Sequence, residues 1–258
     1  MLIDPFDKLS EDLGAIFRPQ REWVERRGLL LVAAHFFSGI GAGTWLFSLL
    51  FGYGPGLATA LALVAIGGLC HLLFLGRWER FWRMVTRPQT SWISRGFWGI
   101  TIFMVGAILY ILPIYAPLPW TPASRLGGLM LAVSLLGALL ILVYKGFVFA
   151  VSRAIPFWNT PLLPFLYVVY ALRGGVAVIL VSSSIIGAAR NIQLLEVIEF
   201  WVILSTAVLI LFYLGVMNNA GVTAKRSVSD LIAGRVSLAF YLGTIFFGLV
   251  VPMAVALI

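Results

Sequence analysis

Long uninterrupted apolar runs alternate with short polar segments along most of the chain. Each run has about 20 residues, which lets an α-helix cross the hydrocarbon core of a bilayer. Transmembrane β-strands would instead alternate polar and apolar residues. The pattern therefore predicts an all-α integral membrane bundle of about seven helices, with eight as the alternative. The predicted spans are roughly residues 29–51, 55–76, 97–116, 126–150, 161–188, 196–217 and 236–258.

The composition supports a membrane environment and suggests two parts of the chain. Of the 258 residues, 61% are hydrophobic and 11% are charged, whereas a soluble domain carries about 25% charged residues. Residues 1–28 are polar and contain both acids and bases. This segment is too long and too acidic for a secretory signal. We expect residues 1–28 to form an extramembrane arm, as an interfacial helix, and residues 29–258 to form the bundle.

The positive charge is distributed unevenly between the two faces of the predicted bundle. We call the face that carries the N-terminal arm side A and the opposite face side B. Of the 18 Lys and Arg residues, 14 fall in side A segments and two in side B loops. The positive-inside rule then predicts a multi-pass protein of the inner (cytoplasmic) membrane with side A in the cytoplasm. This asymmetry accounts for the net charge of +8 without nucleic acid.

Three polar residues, His35, His71 and Tyr144, lie at a similar depth inside the predicted spans. Each is about six residues from the side A end of its span, or roughly 8–9 Å below that face. Histidine and tyrosine can donate hydrogen bonds to the two oxygens of a quinone and can move its protons. The spacing therefore suggests a quinone site. The alternative is structural, with His35 in an interhelical hydrogen bond and Tyr144 as an interfacial aromatic residue.

Two basic residues, Lys145 and Arg173, also lie within predicted spans. Ionisable groups at membrane depth are costly and point to function, so both are candidates for a proton path. The alternatives are that Lys145 extends its ammonium to side A and that Arg173 is structural. No acid lies at the centre of a predicted span, because Glu196 and Glu199 fall near side B. We therefore expect Arg173 to bond to backbone carbonyls or water.

The small numbers of cysteines and histidines limit the possible cofactors. Cys70 is the single cysteine, so the chain cannot supply the four cysteines that usually hold an iron–sulfur cluster. His35 and His71 are the two histidines, and at equal depth they could be the axial ligands of one haem. A haem b-bearing cytochrome subunit is therefore one alternative function. A proton or ion transporter is another, although paired intramembrane acids are not visible.

Three stretches of sequence resemble the NrfD/PsrC family of membrane anchor subunits. The first is HFFSGIGAG at 35–43, and the second comprises LGRWERFW at 75–82 and RPQTSWISRGFWG at 87–99. The third is YKGFVFAVSRAIPFWNTPLLPFLY at 144–167. The resemblance covers most of the chain in order. It implies a helical bundle that exchanges electrons between a membrane quinone, menaquinone or ubiquinone, and a four-cluster, ferredoxin-like iron–sulfur subunit.

The resemblance also implies which residues contact the quinone and the partners. The family's quinone-site histidine and tyrosine match His35 and Tyr144. The iron–sulfur subunit would in turn serve a molybdopterin catalytic subunit. Six residues of the segment between the second and third spans are candidates for partner docking, because arginine pairs well with carboxylates: Arg77, Arg80, Arg83, Arg87, Arg95 and Trp92.

Overall fold

The computed structural model describes residues 21–187 and 189–256. Seven helices in this part of the chain are long and apolar enough to cross a membrane, which confirms the predicted all-α membrane bundle. Most of the arm predicted at residues 1–28 lies outside the described residues. The seven spans are α1 (Gly28–Leu50), α2 (Gly54–Phe74), α4 (Trp92–Tyr115), α5 (Arg125–Ala150), α6 (Leu162–Ile186), α7 (Ile192–Asn218) and α9 (Ser237–Ala256).

Shorter helices complete the chain between the spans. The α3 helix (Trp82–Thr86) follows a 3₁₀ turn at Trp78–Arg80 in the segment between α2 and α4. The α8 helix (Val222–Ala233) connects α7 to α9, and a further 3₁₀ turn covers Arg21–Trp23. Within α9, Phe240–Val250 is wound as a π-helix. Consecutive spans alternate in direction, so α1, α4, α6 and α9 begin on side A.

The starts of several helices follow local sequence signals. Ser91 and Ser124 precede α4 and α5, and their hydroxyls accept hydrogen bonds from the backbone N–H groups of Ser94 and Gly127 at 3.3 and 3.2 Å. Such N-caps satisfy donors that a helix start leaves unpaired.

The tight turn between α1 and α2 depends on Gly52, whose φ is +60°. Glycine adopts this left-handed conformation without steric cost.

The first span is the central helix of the bundle. It packs against α2, α5 and α6, and 56% of its most apolar stretch is buried within the chain, compared with 6% for α9. Gly43 permits the close approach of α1 to α6, since a Cβ there would overlap the backbone of Ala171. Gly39, four residues earlier, instead faces the side chain of Lys145. The two glycines of α1 therefore set how closely α6 approaches and leave space for the Lys145 side chain inside the bundle.

Candidate functional site

The three polar residues predicted at one depth lie side by side in the structure. We call His35 on α1, His71 on α2 and Tyr144 on α5 the side A cluster. The ring centroids are 5.2 Å apart for the two histidines, 6.1 Å for His35 and Tyr144, and 6.4 Å for His71 and Tyr144. Three different helices thus bring their proton-handling groups to a common point below side A.

A chain of hydrogen bonds defines the protonation of His71 and Tyr144. The Nδ1 atom of His71 lies 2.9 Å from the carbonyl oxygen of Gly67, one turn earlier on α2. A carbonyl can only accept, so Nδ1 carries a hydrogen and donates it. In the neutral ring the Nε2 atom is then an acceptor, and it lies 3.1 Å from the Tyr144 hydroxyl. Tyr144 therefore donates its proton to His71, and both ring nitrogens are engaged.

Gly96 on α4 provides the space that the Tyr144 ring occupies. A Cβ atom at position 96 would overlap Cε2 and Cδ2 of this ring. Tyr144 is 4% exposed, so its ring has little free space into which it could move. The glycine of the SWISRG segment thus positions the tyrosine of the cluster.

Aromatic side chains surround His35 on the side A half of the bundle. The His35 ring lies 5.2 Å from Phe149 and 6.3 Å from Tyr167, both in edge-on orientation, and these two rings stack on each other at 5.7 Å. Trp158 packs against Phe149 at 4.9 Å. Phe149, Trp158 and Tyr167 were not predicted as site residues. All three lie within the stretch at 144–167, and its many aromatic residues could have indicated that they belong to the site.

Lys145 is buried next to the side A cluster and does not extend to the membrane surface. The residue is 2% exposed, and its ammonium nitrogen donates to the carbonyl oxygen of His35 at 2.7 Å. Gly39 leaves the room for this nitrogen, which lies 2.8 Å from the position of a Cβ on that glycine. The alternative in which Lys145 reaches outward to side A is therefore wrong.

Arg173 has a carboxylate partner, contrary to the expectation that backbone carbonyls or water would bind it. Its Nε atom lies 3.7 Å from Oε1 of Glu199 on α7. The two side chains are 13% and 6% exposed. Because α7 begins at Ile192 rather than near 196, Glu199 lies seven residues, or about 10 Å, inside the helix. This depth brings the carboxylate within reach of the long Arg173 side chain.

The six candidate docking residues divide into two groups. Arg95 and Trp92 lie in the first turn of α4, which begins five residues earlier than predicted. Trp92 stacks on Phe147 at 4.3 Å, and the Arg95 guanidinium lies 4.2 Å above the Trp92 ring while it donates to the carbonyls of Pro88 and Gln89. The other four lie on side A and are exposed: Arg77, Arg80, Arg83 and Arg87.

The fold and this arrangement define a multi-pass helical membrane protein that buries a histidine–tyrosine cluster beneath one face. The family described as "Polysulphide reductase, NrfD" matches residues 27–258. The chain belongs to this family. No solved structure matches the chain.

Three relatives show how widely the similarity extends. The chain is 26% identical to Protein NrfD of Escherichia coli over 74% of this chain and 67% of that protein. It is also 26% identical to the C chain of polysulfide reductase from Wolinella succinogenes, over 77% and 70% of the two proteins. The C subunit of sulfite dehydrogenase from Allochromatium vinosum is 31% identical over 43% of this chain and 36% of its own length. Two of these relatives are thus named as parts of oxidoreductases.

Proposed function

We propose that this protein is the quinone-binding membrane subunit of a respiratory oxidoreductase complex. In this proposal it passes electrons between menaquinone or ubiquinone in the membrane and an iron–sulfur partner subunit. The observation that carries the proposal is the hydrogen bond between Tyr144 and His71 beside the His35 ring. Family membership supports it, because the named relatives include subunits of polysulfide reductase and sulfite dehydrogenase.

The site suits the two chemical parts of a quinone. The head needs hydrogen-bonding groups at its oxygens. The Tyr144 oxygen can still accept a hydrogen bond, the neighbouring His35 ring can donate one, and His71 acts through its bond to Tyr144. The isoprenoid tail needs an apolar environment, which the membrane core and the Phe149 and Tyr167 rings provide. Binding of a haem iron through Nε2 of His71 would instead have to displace the Tyr144 hydroxyl.

The existing hydrogen bonds provide a route for one proton of the quinone reaction. Quinol oxidation releases two electrons and two protons. In the proposed mechanism, a quinol O–H gives its proton to the Tyr144 oxygen while Tyr144 gives its own proton to Nε2 of His71. The imidazolium is stabilised by its second hydrogen bond to the carbonyl of Gly67. Quinone reduction uses the same route in reverse, and the electrons pass to or from the iron–sulfur partner.

Lys145 and Arg173 are the proposed continuation of the proton path into the bundle. The Lys145 nitrogen bonds to the backbone of His35, so it lies immediately below the side A cluster. Arg173 lies near the middle of α6, further from side A. Both are donor-rich side chains at membrane depth, where ionisable groups are retained for function.

The proposed partners dock on side A. The four arginines between α2 and α4 would contact acidic groups of a four-cluster, ferredoxin-like iron–sulfur subunit. That subunit would connect to a molybdopterin catalytic subunit. The positive charge of side A supports a cytoplasmic orientation of this face in the inner membrane.

Purification of the chain from its native membrane in a mild detergent tests this proposal. We expect an iron–sulfur subunit and a molybdopterin-containing subunit to co-purify in fixed proportion, as identified by mass spectrometry. Arg80→Glu and Arg83→Glu together should release them, since acidic groups would then repel each other at the interface. The same exchange at Arg125 on side B is the matched control. Isolation of the chain without any redox protein would contradict the proposal.

A further inference from the structure

In the part of the chain that the structure describes, buried polar atoms without partners lie between the bundle centre and side B. Within residues 21–187 and 189–256, five buried side-chain atoms have no hydrogen-bond partner: Trp45 Nε1, Ser48 Oγ, Tyr53 OH, Arg173 Nε and Glu199 Oε2. Buried polar groups in proteins are almost always hydrogen-bonded to protein or to ordered water. These atoms therefore need water molecules as partners.

The positions of these atoms lie between the bundle centre and side B. Trp45 and Ser48 are in the last two turns of α1, and Tyr53 is in the turn that follows on side B. Tyr53 belongs to a core cluster with Val176 and Leu195, which are one helical turn from Arg173 and Glu199, respectively. By contrast, the polar groups of His71 and Tyr144 in the side A cluster bond to each other.

A cavity lies at the side B surface next to this region. It has a volume of about 550 Å³ and lies between the α1–α2 turn and the start of α7. Its lining includes Leu50, Gly52, Arg190, Asn191, Leu194 and Ile198. Ile198 immediately precedes Glu199, so the inner end of the cavity lies at about the depth of Glu199 but against a neighbouring face of α7. A space of this size that contains polar groups can hold water.

The ion pair itself requires additional partners. The Arg173–Glu199 separation of 3.7 Å is too long for a hydrogen bond. Two charges at membrane depth are costly unless further hydrogen bonds satisfy them. Water from side B can supply those bonds to Nε of Arg173 and Oε2 of Glu199.

We propose that the side B half of the bundle contains a water-filled vestibule that opens on side B and ends at the Arg173–Glu199 pair. The Glu199 carboxylate then exchanges protons with the side B solution, and the packed core keeps bulk water of side A away from the pair. This inference does not depend on quinone binding or on any partner subunit.

Silver-ion protection of single cysteines tests the vestibule in the full-length chain. A Cys70→Ala background removes the single native thiol, and Ser48→Cys and Glu199→Cys are then introduced separately. Silver nitrate is added to one side of sealed, chloride-free proteoliposomes, followed by denaturation and maleimide labelling of unreacted thiols. Silver ions are small enough to follow a narrow water path.

We expect silver on side B to protect both cysteines and silver on side A to protect neither. Ile203→Cys is the matched control, because Ile203 is fully buried one turn further into α7 and should stay unprotected from both sides. Absence of side B protection at folded Glu199→Cys, or protection from side A, would overturn the proposal. If Glu199→Cys does not fold, the nearly isosteric Ser48→Cys decides by the same criteria.

Discussion

Replacing Tyr144 with phenylalanine is expected to lower quinone-coupled turnover of the complex about 100-fold or more, the usual contribution of a positioned proton-transfer group. The substitution removes the hydroxyl that bonds to Nε2 of His71 but keeps the ring that packs against Gly96. Quinone-coupled turnover is measured in native membranes or proteoliposomes. Electron transfer among the partner subunits, assayed with a soluble dye, should remain at the wild-type rate.

A second variant affects the same hydroxyl without changing the tyrosine. Gly96→Val would place a side chain where the Tyr144 ring lies, so the ring must shift and its bond to His71 should break. We expect quinone-coupled turnover to fall about 10-fold or more. The loss should be smaller than in Tyr144→Phe because the hydroxyl itself is retained. Gly68→Ala is the control, because a Cβ there makes only an ordinary contact with Ile100 at 3.5 Å. Normal turnover in both Tyr144→Phe and Gly96→Val would exclude the side A cluster from proton transfer.

Replacing Glu199 with leucine is expected to cost about 3 kcal/mol in the free energy of unfolding, since it leaves the Arg173 guanidinium buried without a counter-charge. This value is at the low end for buried pairs because vestibule water would solvate part of the charge. Arg173→Met should cost less. The remaining carboxylate can become neutral by taking up a proton, whereas a guanidinium keeps its charge.

The double variant Arg173→Met/Glu199→Leu provides the control for that prediction. It removes both charges and should regain most of the stability lost in Glu199→Leu, as replacement of buried ion pairs by apolar residues often does. Reversible unfolding in mixed micelles gives the three free energies. Equal stability of Glu199→Leu and the wild type would show that the pair does not stabilise the bundle.

The spans could be predicted because bilayer thickness directly sets the length of the apolar runs. The positions of His35, His71 and Tyr144 followed in the same way, since depth in a regular helix depends only on residue count. Depth alone does not determine which side chains meet, and Lys145 illustrates this. Its ammonium stays inside because Gly39, on another helix, leaves space beside an available carbonyl.

The predicted positions of Arg95 and Glu199 were wrong because the helices that carry them begin earlier than predicted. The α4 and α7 helices begin before their apolar runs, at Trp92 and Ile192. This places Arg95 in a helix rather than in a free loop, and it places Glu199 deep enough to meet Arg173. Polar residues at the start of a span reduce the apolar signal, although the backbone is already helical there.

Photolabelling with an azido-menaquinone tests most directly whether the side A cluster binds the quinone head. The label is activated in the intact complex, and the modified peptides are identified by mass spectrometry with and without excess unlabelled menaquinone. We expect competed labels on α1, α2 and α5 near His35, His71 and Tyr144, and we expect these labels to be lost in Tyr144→Phe and in Gly96→Val. Competed labels confined to α9 or to side B would contradict it.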